Sequence, residues 1–195
     1  MKSAIEPEKI AVKPLNPATW PDFERLFGPN GACAGCWCTW WRLSSTDFRK
    51  FSKEEKKNLL RTLVQSGKIP GLMAYAGDIP VGWVSVAPRE EFLLLERSKK
   101  LARVDDQPVW SINCFFIDRH HRRAGLTRVL IDEAVKFAAE NGATIVEAYP
   151  IDVQEKVSSS QLYYGHADTF NKAGFVEVAR RDPVQPVMRK TINCE

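Results

Sequence analysis

The densest chemistry in the chain lies at positions 118–127, where Asp118, Arg119, His120, His121, Arg122 and Arg123 follow without a break and Ala124-Gly125 leads into Leu126-Thr127. Residues of these types at the start of a helix make an anion site. The first N–H groups of a helix have no partner within it, and its dipole places positive charge there. A glycine lets backbone come close to a ligand, adjacent arginines add charge, and a pyrophosphate is the natural guest. The alternative is an ordinary strand-to-helix turn with a solvated basic face, and composition does not separate the two. His120 and His121 are adjacent, so they cannot share one face, and they fit the anion loop better than a catalytic pair.

A second cluster is Cys33, Cys36, Trp37, Cys38, Trp40, Trp41 and Arg42. Three readings compete. The three thiols could ligate zinc, but a closed structural site needs a fourth ligand. Cys114 and Cys194 are distant in sequence and the two adjacent histidines belong to the anion loop, so no metal is expected. Small thiols and large indoles could simply fill a packed insertion over residues 28–50, since free cysteine behaves as a small hydrophobe. The favoured reading has Trp37, Trp40, Trp41 and, from a later strand, Trp83 lining a substrate pocket, with Arg42 ready for a carboxylate.

The elements that must position these groups follow from periodicity. Residues 109–117 are β-branched and aromatic, as in a strand buried on both faces. From Leu126 the apolar residues fall at helical spacing through Ala138, and Asn141-Gly142 supplies a C-cap. Residues 143–149 read as another strand, ended by Pro150. Upstream, the reading gives a strand over 9–15, a helix over 16–27, a helix over 52–66 capped by Ser52, and a hairpin of 71–75 with 81–87. In that hairpin Trp83 and Ser85 share one face and Val84 and Val86 the other. Residues 92–101 look helical, and Arg89 looks like part of an exposed cap. Downstream come a loop over 151–160, a helix over 167–172, and strands over 176–180 and 187–192.

Composition bounds the answer. The 195 residues suit one domain, and a net charge of +4 is too small for a general nucleic-acid binder. No apolar run approaches the ~20 residues of a membrane span, and the first residues lack a signal-peptide core. With five cysteines, an odd number, the chain is expected to be cytoplasmic with reduced thiols.

The run Arg122-Arg123-Ala124-Gly125-Leu126-Thr127 resembles the acyl-CoA pyrophosphate loop of the GNAT (GCN5-related) N-acetyltransferase superfamily, and the later Ala173-Gly174-Phe175 matches that family as well. The loop departs from the pattern at Thr127, where the family prefers Gly or Ala. The resemblance implies an α/β (α+β) domain with a twisted mixed sheet, mostly antiparallel with a central splayed parallel pair, flanked by helices. It implies acetyl-CoA as co-substrate, with Phe115, Phe116 and Ile117 at the pantetheine arm and residues 122–127 at the phosphates. The partner would be a small-molecule amine acceptor, amino acid-like in size, with association into a homodimer left open. Where the family carries a tyrosine as acid, this chain has Phe170, placed beside the cofactor. Tyr164, or else Tyr163, is the candidate acid, and Glu147, facing the same way as Ile145 and Tyr149, is the candidate base. A non-catalytic acyl-CoA sensor and a metal-stabilised interaction domain are the rival readings.

Overall fold

The computed structural model describes residues 10–153 and 162–192. In chain order its elements are β1 (Ile10–Pro14), α1 (Trp20–Phe27), α2 (Ser45–Lys50), α3 (Lys53–Gln65), β2 (Gly71–Ala76), β3 (Ile79–Pro88), α4 (Leu93–Glu96), β4 (Trp110–Ile117), α5 (Leu126–Glu140), β5 (Ile145–Ala148), α6 (Ala167–Lys172), β6 (Val176–Asp182) and β7 (Gln185–Thr191). The seven strands form one sheet in the order β1-β2-β3-β4-β5-β7-β6. Only β4 and β5 run parallel, and every other neighbouring pair is antiparallel.

Strand alternation divides the core into layers. Leu72, Ala74, Val84 and Val86 point to one face, where Leu126, Leu130, Ile131, Ala134 and Ala138 of α5 cover them. Met73, Tyr75 and Trp83 point to the other, against Phe23 and Phe27 of α1 and Leu60 and Val64 of α3. Gly82 lets α5 approach closely, because a Cβ there would stand 3.0 Å from the Leu126 side chain. The expected cap of α3 is a full capping box, in which the Ser52 hydroxyl accepts from Glu55 N–H and the Glu55 carboxylate accepts from Ser52 N–H.

Two features of β4 shape what lies around it. Its parallel pairing with β5 covers only Trp110–Ile112 against Val146–Ala148, so the two strands part beyond Ile112. On its other edge, Ser85 pairs with Cys114 and Val86 with Ile112, which leaves Asn113 as the extra residue of a bulge. The bulge reverses the alternation. Ile112 and Phe115 therefore both meet the α5 layer, while Cys114 and Phe116 meet the layer of α1 and α3.

Boundaries differ from expectation where local signals were weak. The helix expected over 92–101 is only Leu93–Glu96, because Arg97 already leaves the helix and Ser98 and Leu101 are tied by a side-chain turn. α1 starts at Trp20, since the Asn16 side chain accepts from Ala18 and Thr19 and holds a turn first. The gap between the strands expected over 176–180 and 187–192 is a tight reversal, with β6 reaching Asp182 and β7 starting at Gln185. Most of the loop expected over 151–160 lies outside the described residues. No helix among the described residues is long and apolar enough to cross a membrane.

Candidate active site

Beyond Ile117 the chain turns through Asp118, whose N–H donates to Val81 O at 3.0 Å. The Asp118 carboxylate accepts from His120 N–H at 2.9 Å and lies 3.1 Å from His121 Nδ1. Burial works against its charge, but these hydrogen bonds prevail and hold it below the usual carboxylate range. Arg122 Nε donates to Ile117 O at 3.1 Å, tying the loop to the end of β4. Arg123 and Gly125 both take left-handed backbone, at φ 64° and 78°. The result is a concave run of backbone in which the N–H groups of residues 122–127 donate to no acceptor among the described residues. A Cβ on Gly125 would meet nothing within 4 Å, so the turn is open on that side. Arg122 and Arg123 are exposed, whereas the Leu126 side chain belongs to the core and only its backbone can serve the turn.

A cavity of about 230 Å³ lies against β4. Cys114, Phe115 and Phe116 of the strand line it, together with Tyr163, Phe48 of α2 and a wall of Cys33, Cys36, Cys38, Trp40 and Trp41. The wall is a loop under backbone strain: Ala32, Ala34, Trp37 and Cys38 all have left-handed φ, at 62°, 52°, 44° and 57°. Non-glycine residues in that region are costly and hold only where packing over-determines them. Here the Trp37 ring stacks on Phe27 at 5.7 Å, and a Cβ on Gly31 would collide with that ring at 2.3 Å.

The expected substrate wall therefore divides. Trp40 and Trp41 line the cavity, but Trp37 and Trp83 do not, being core residues at 4 % and 0 % exposure. Trp83 instead donates its indole N–H to Cys38 Sγ at 3.1 Å. A hydrogen bond from Cys114, that indole and the Arg42 charge outweigh burial and bring the Cys38 thiol down to about 7, while the Cys114 thiol, as donor, is pushed well up. Burial pushes Cys36 up to about 12. Among the described residues no group of three or more His, Cys, Asp or Glu side chains could hold a metal ion, and Cys194 lies outside them.

The tyrosines are adjacent, with ring centroids 4.1 Å apart. Tyr163 reaches the cavity, and burial first, then Tyr164, keeps its phenol protonated far above its ordinary range. Tyr164 packs edge-on against Trp41 at 5.9 Å, behind the wall. Of the two, Tyr163 is the one that lines the cavity.

Glu147 is corrected outright. It is wholly buried, with Oε1 accepting from Arg89 Nη1 and Tyr149 Oη, both at 2.6 Å, and Oε2 from Arg189 Nε at 2.8 Å. A carboxylate clamped by two guanidinium groups in the interior is a structural ion pair and not a free base. Arg89, expected at the surface, is fully buried and also bonds Glu96 and the carbonyls of Leu95 and Leu101. Phe170 is a core residue at 0 % exposure between Phe115 and Phe175, with no face left for a cofactor.

Two residues at the site escaped the sequence reading. Asn113, on the bulge, accepts from Trp41 Nε1 through its carbonyl at 3.2 Å, fixing the indole wall to β4. Phe48, edge-on to Trp40 at 4.8 Å, arrives on α2, a helix too short to show a periodic signal.

Residues 37–165 match the family model described as the acetyltransferase (GNAT) family. No curated protein matches the sequence. Among solved structures, the chain is similar to the PaiA N-acetyltransferase of Thermoplasma acidophilum in complex with coenzyme A (15 % identity, 94 % of this chain and 99 % of that one, TM-score 0.51). It is also similar to the ribosomal-protein-alanine N-acetyltransferase of Brucella melitensis (14 %, 93 % and 99 %, 0.53) and to NAA60 of Arabidopsis thaliana in complex with acetyl-CoA (17 %, 94 % and 99 %, 0.50).

Proposed function

Because the chain belongs to the GNAT acetyltransferase family, we propose that it transfers an acetyl group from acetyl-CoA to the amine of a small-molecule acceptor, through the turn at residues 122–127 and the cavity on β4. The observation that carries this reading is the run of unpartnered N–H groups around Gly125, at the head of a fifteen-residue helix. A pyrophosphate fits that cradle by charge, by donor count and by the open space over the glycine. Residues 122–127 would hold the phosphates, with Arg122 and Arg123 adding charge. Thr127, half-buried, would add a hydroxyl beside its own N–H. Beyond Ile112 the edge of β4 that parted from β5 has no strand partner among the described residues. The backbone of Phe115, Phe116 and Ile117 there can pair with the amides of a pantetheine arm as an added strand would.

Acetyl-CoA, when bound, supplies the activated acyl carbonyl. This chain's residues supply position and exclusion of water. Trp41, pinned to Asn113 O, and Trp40 keep the acceptor side of the cavity dry and rigid. Tyr163 carries its phenol on the cavity wall and is, by position, the group that can donate a proton to a departing thiolate, although burial, by raising its pKa, makes it a weaker acid than a free tyrosine. With Glu147 locked away, an acceptor amine enters neutral or loses its proton to solvent.

The test is calorimetry of CoA binding together with release of free thiol from acetyl-CoA in the presence of an amine library. Tight CoA binding with steady amine-dependent thiol release supports the enzyme. Binding without turnover would favour a sensor, a reading to which the apolar residue at Phe170 lends weight.

A further inference from the structure

The cavity on β4 holds no partner for a second charge on its ligand. Among the described residues, no Asp, Glu, Lys, Arg or His lines it. Arg42, expected from the sequence to meet a carboxylate, is not in the lining: its side chain is 6 % exposed and its Nη1 donates to Glu91 Oε2 at 2.8 Å. The four lining thiols, Cys33, Cys36, Cys38 and Cys114, behave as small hydrophobes with weak S–H donors. Cys38 is the one of these brought down toward neutrality, and its sulfur already accepts the Trp83 indole N–H at 3.1 Å. Beyond the indoles, polar side-chain chemistry is confined to the Tyr163 phenol, already given to the leaving thiolate.

A ligand can reach this lining. Cys33 and Ala34 of the wall are exposed, and Trp40, Phe48, Phe116 and Tyr163 are half-buried. Against the sheet the cavity meets Cys114, Phe115 and Phe116, on the stretch of β4 that has parted from β5 and would pair with the pantetheine arm. A body seated among the rings therefore lies beside the place of the thioester. The volume of about 230 Å³ falls below the about 300–1,000 Å³ of pockets for drug-sized ligands, which leaves room for one ring on a short arm. Two effects then select the ligand. Apolar surface gains by leaving water for the rings, whereas a charge brought among them gives up its hydration and finds no partner in the wall.

We infer that the acceptor is an apolar amine, one aromatic ring on a short arm with no second charged group, its ring seated among Trp40, Trp41 and Phe48 and its nitrogen at the Cys114–Phe116 edge of β4. This rests on the acyltransferase reading and narrows it to a substrate class. The nitrogen forms the amide bond as the thioester C–S bond breaks, and the proton it sheds balances the one that completes the free thiol. Amino acids, polyamines and the charged termini of peptides carry groups that this lining cannot partner. Phe48 bounds the seat on the α2 side, edge-on to Trp40 at 4.8 Å, and α2 buries no residue, so Phe48 can be shortened without unpacking the core.

The experiment measures kcat/KM on the full chain with acetyl-CoA, as amine-dependent release of free thiol. Phenethylamine should exceed ethylamine by at least about a hundredfold, since a single methylene in an apolar pocket is worth about 10–200-fold. Phenethylamine should exceed 4-(2-aminoethyl)benzoate, and pentylamine should exceed cadaverine, each by at least about a hundredfold, because the added charge finds no partner. Phe48→Ala should raise the ratio of tryptamine to phenethylamine at least about tenfold, with CoA affinity unchanged. The comparisons on the unaltered protein stand even if that variant does not fold. Ethylamine as good as phenethylamine, charged analogues within about tenfold of their neutral partners, or an unchanged ratio in folded Phe48→Ala protein overturns the inference. So does faster transfer from butyryl-CoA than from acetyl-CoA to ethylamine, which would put the acyl chain in the cavity. Those results leave the acyltransferase reading standing, whereas no thiol release with any amine, or no binding of CoA, would strike that reading itself.

Discussion

Gly125→Glu is the sharpest probe of the turn. Two terms separate. The first is backbone: Gly125 sits at φ 78°, and any other residue there costs about 1–2 kcal/mol. Because a Cβ would meet nothing within 4 Å, no packing penalty is added. For a chain of this length that cost lowers the melting temperature by about 2–8 °C. Gly125→Ala isolates this first term and should leave CoA affinity nearly intact. The second term belongs to glutamate alone. Two unit charges 4 Å apart interact by about 4 kcal/mol at an effective dielectric near 20, so a carboxylate in the cradle should weaken CoA by at least about a hundredfold. Calorimetry on both variants, with melting curves as the control for folding, gives the comparison. A folded Gly125→Glu protein that binds CoA as the wild type does would refute the assignment of the cradle, and with it the acyltransferase reading.

Tyr163→Phe should lower kcat by about tenfold, below the ~10²–10⁴-fold of a well-matched general acid because burial raises its pKa, with CoA affinity unchanged, whereas Tyr164→Phe should do little; the reverse order in steady-state assays would return the role to Tyr164. Glu147→Ala removes the fully buried carboxylate between Arg89 and Arg189, leaving them only Glu96 and Asp105 as ionic partners, and should cost about 3–5 kcal/mol, read as a fall in melting temperature or loss of soluble protein; a loss below about 1 kcal/mol would show that the cluster does not hold the fold. Because its surroundings lower the Cys38 thiol while burial raises Cys36, alkylation of Cys38 by iodoacetamide should rise at distinctly lower pH than alkylation of Cys36. Site-resolved mass spectrometry reads both profiles. Trp83→Phe removes the indole donor and should move the Cys38 profile upward; coincident profiles for the two cysteines would contradict the geometry around Sγ.

What the sequence disclosed and what it withheld divide along the range of the interactions. The passage from β4 through the glycine turn into α5 was legible because each part is local: a β-branched run, a charged turn, an amphipathic stripe, and a C-cap at Asn141. The Ser52–Glu55 capping box was legible for the same reason. The bulge at Asn113 was not, since it exists only as a mismatch of register with β3, far off in sequence. The split of the indoles into core and cavity hinges on left-handed backbone at Trp37 and Cys38, which no spacing rule reports for residues other than glycine. Alternation did place Glu147 on the same side as Tyr149, which bonds it, but the two arginines that meet it come from Arg89 and Arg189, 58 and 42 positions away.

That same ion cluster bears on the width of the cleft. The sheet is effectively two leaves, β1 to β4 and β5 to β7, hinged by the three residue pairs between Trp110–Ile112 and Val146–Ala148. Arg89 leaves the end of one leaf, while Glu147 and Arg189 belong to the other, and Asp105 from the connection before β4 grips Arg189 as well. The seam is thus bolted by charge just behind the hinge, on the side away from the opening. That cluster and the three residue pairs together hold the two leaves at the angle seen here. A substitution there, remote from the cavity and touching no ligand, would reach the reaction by altering how far apart the two sheet edges stand.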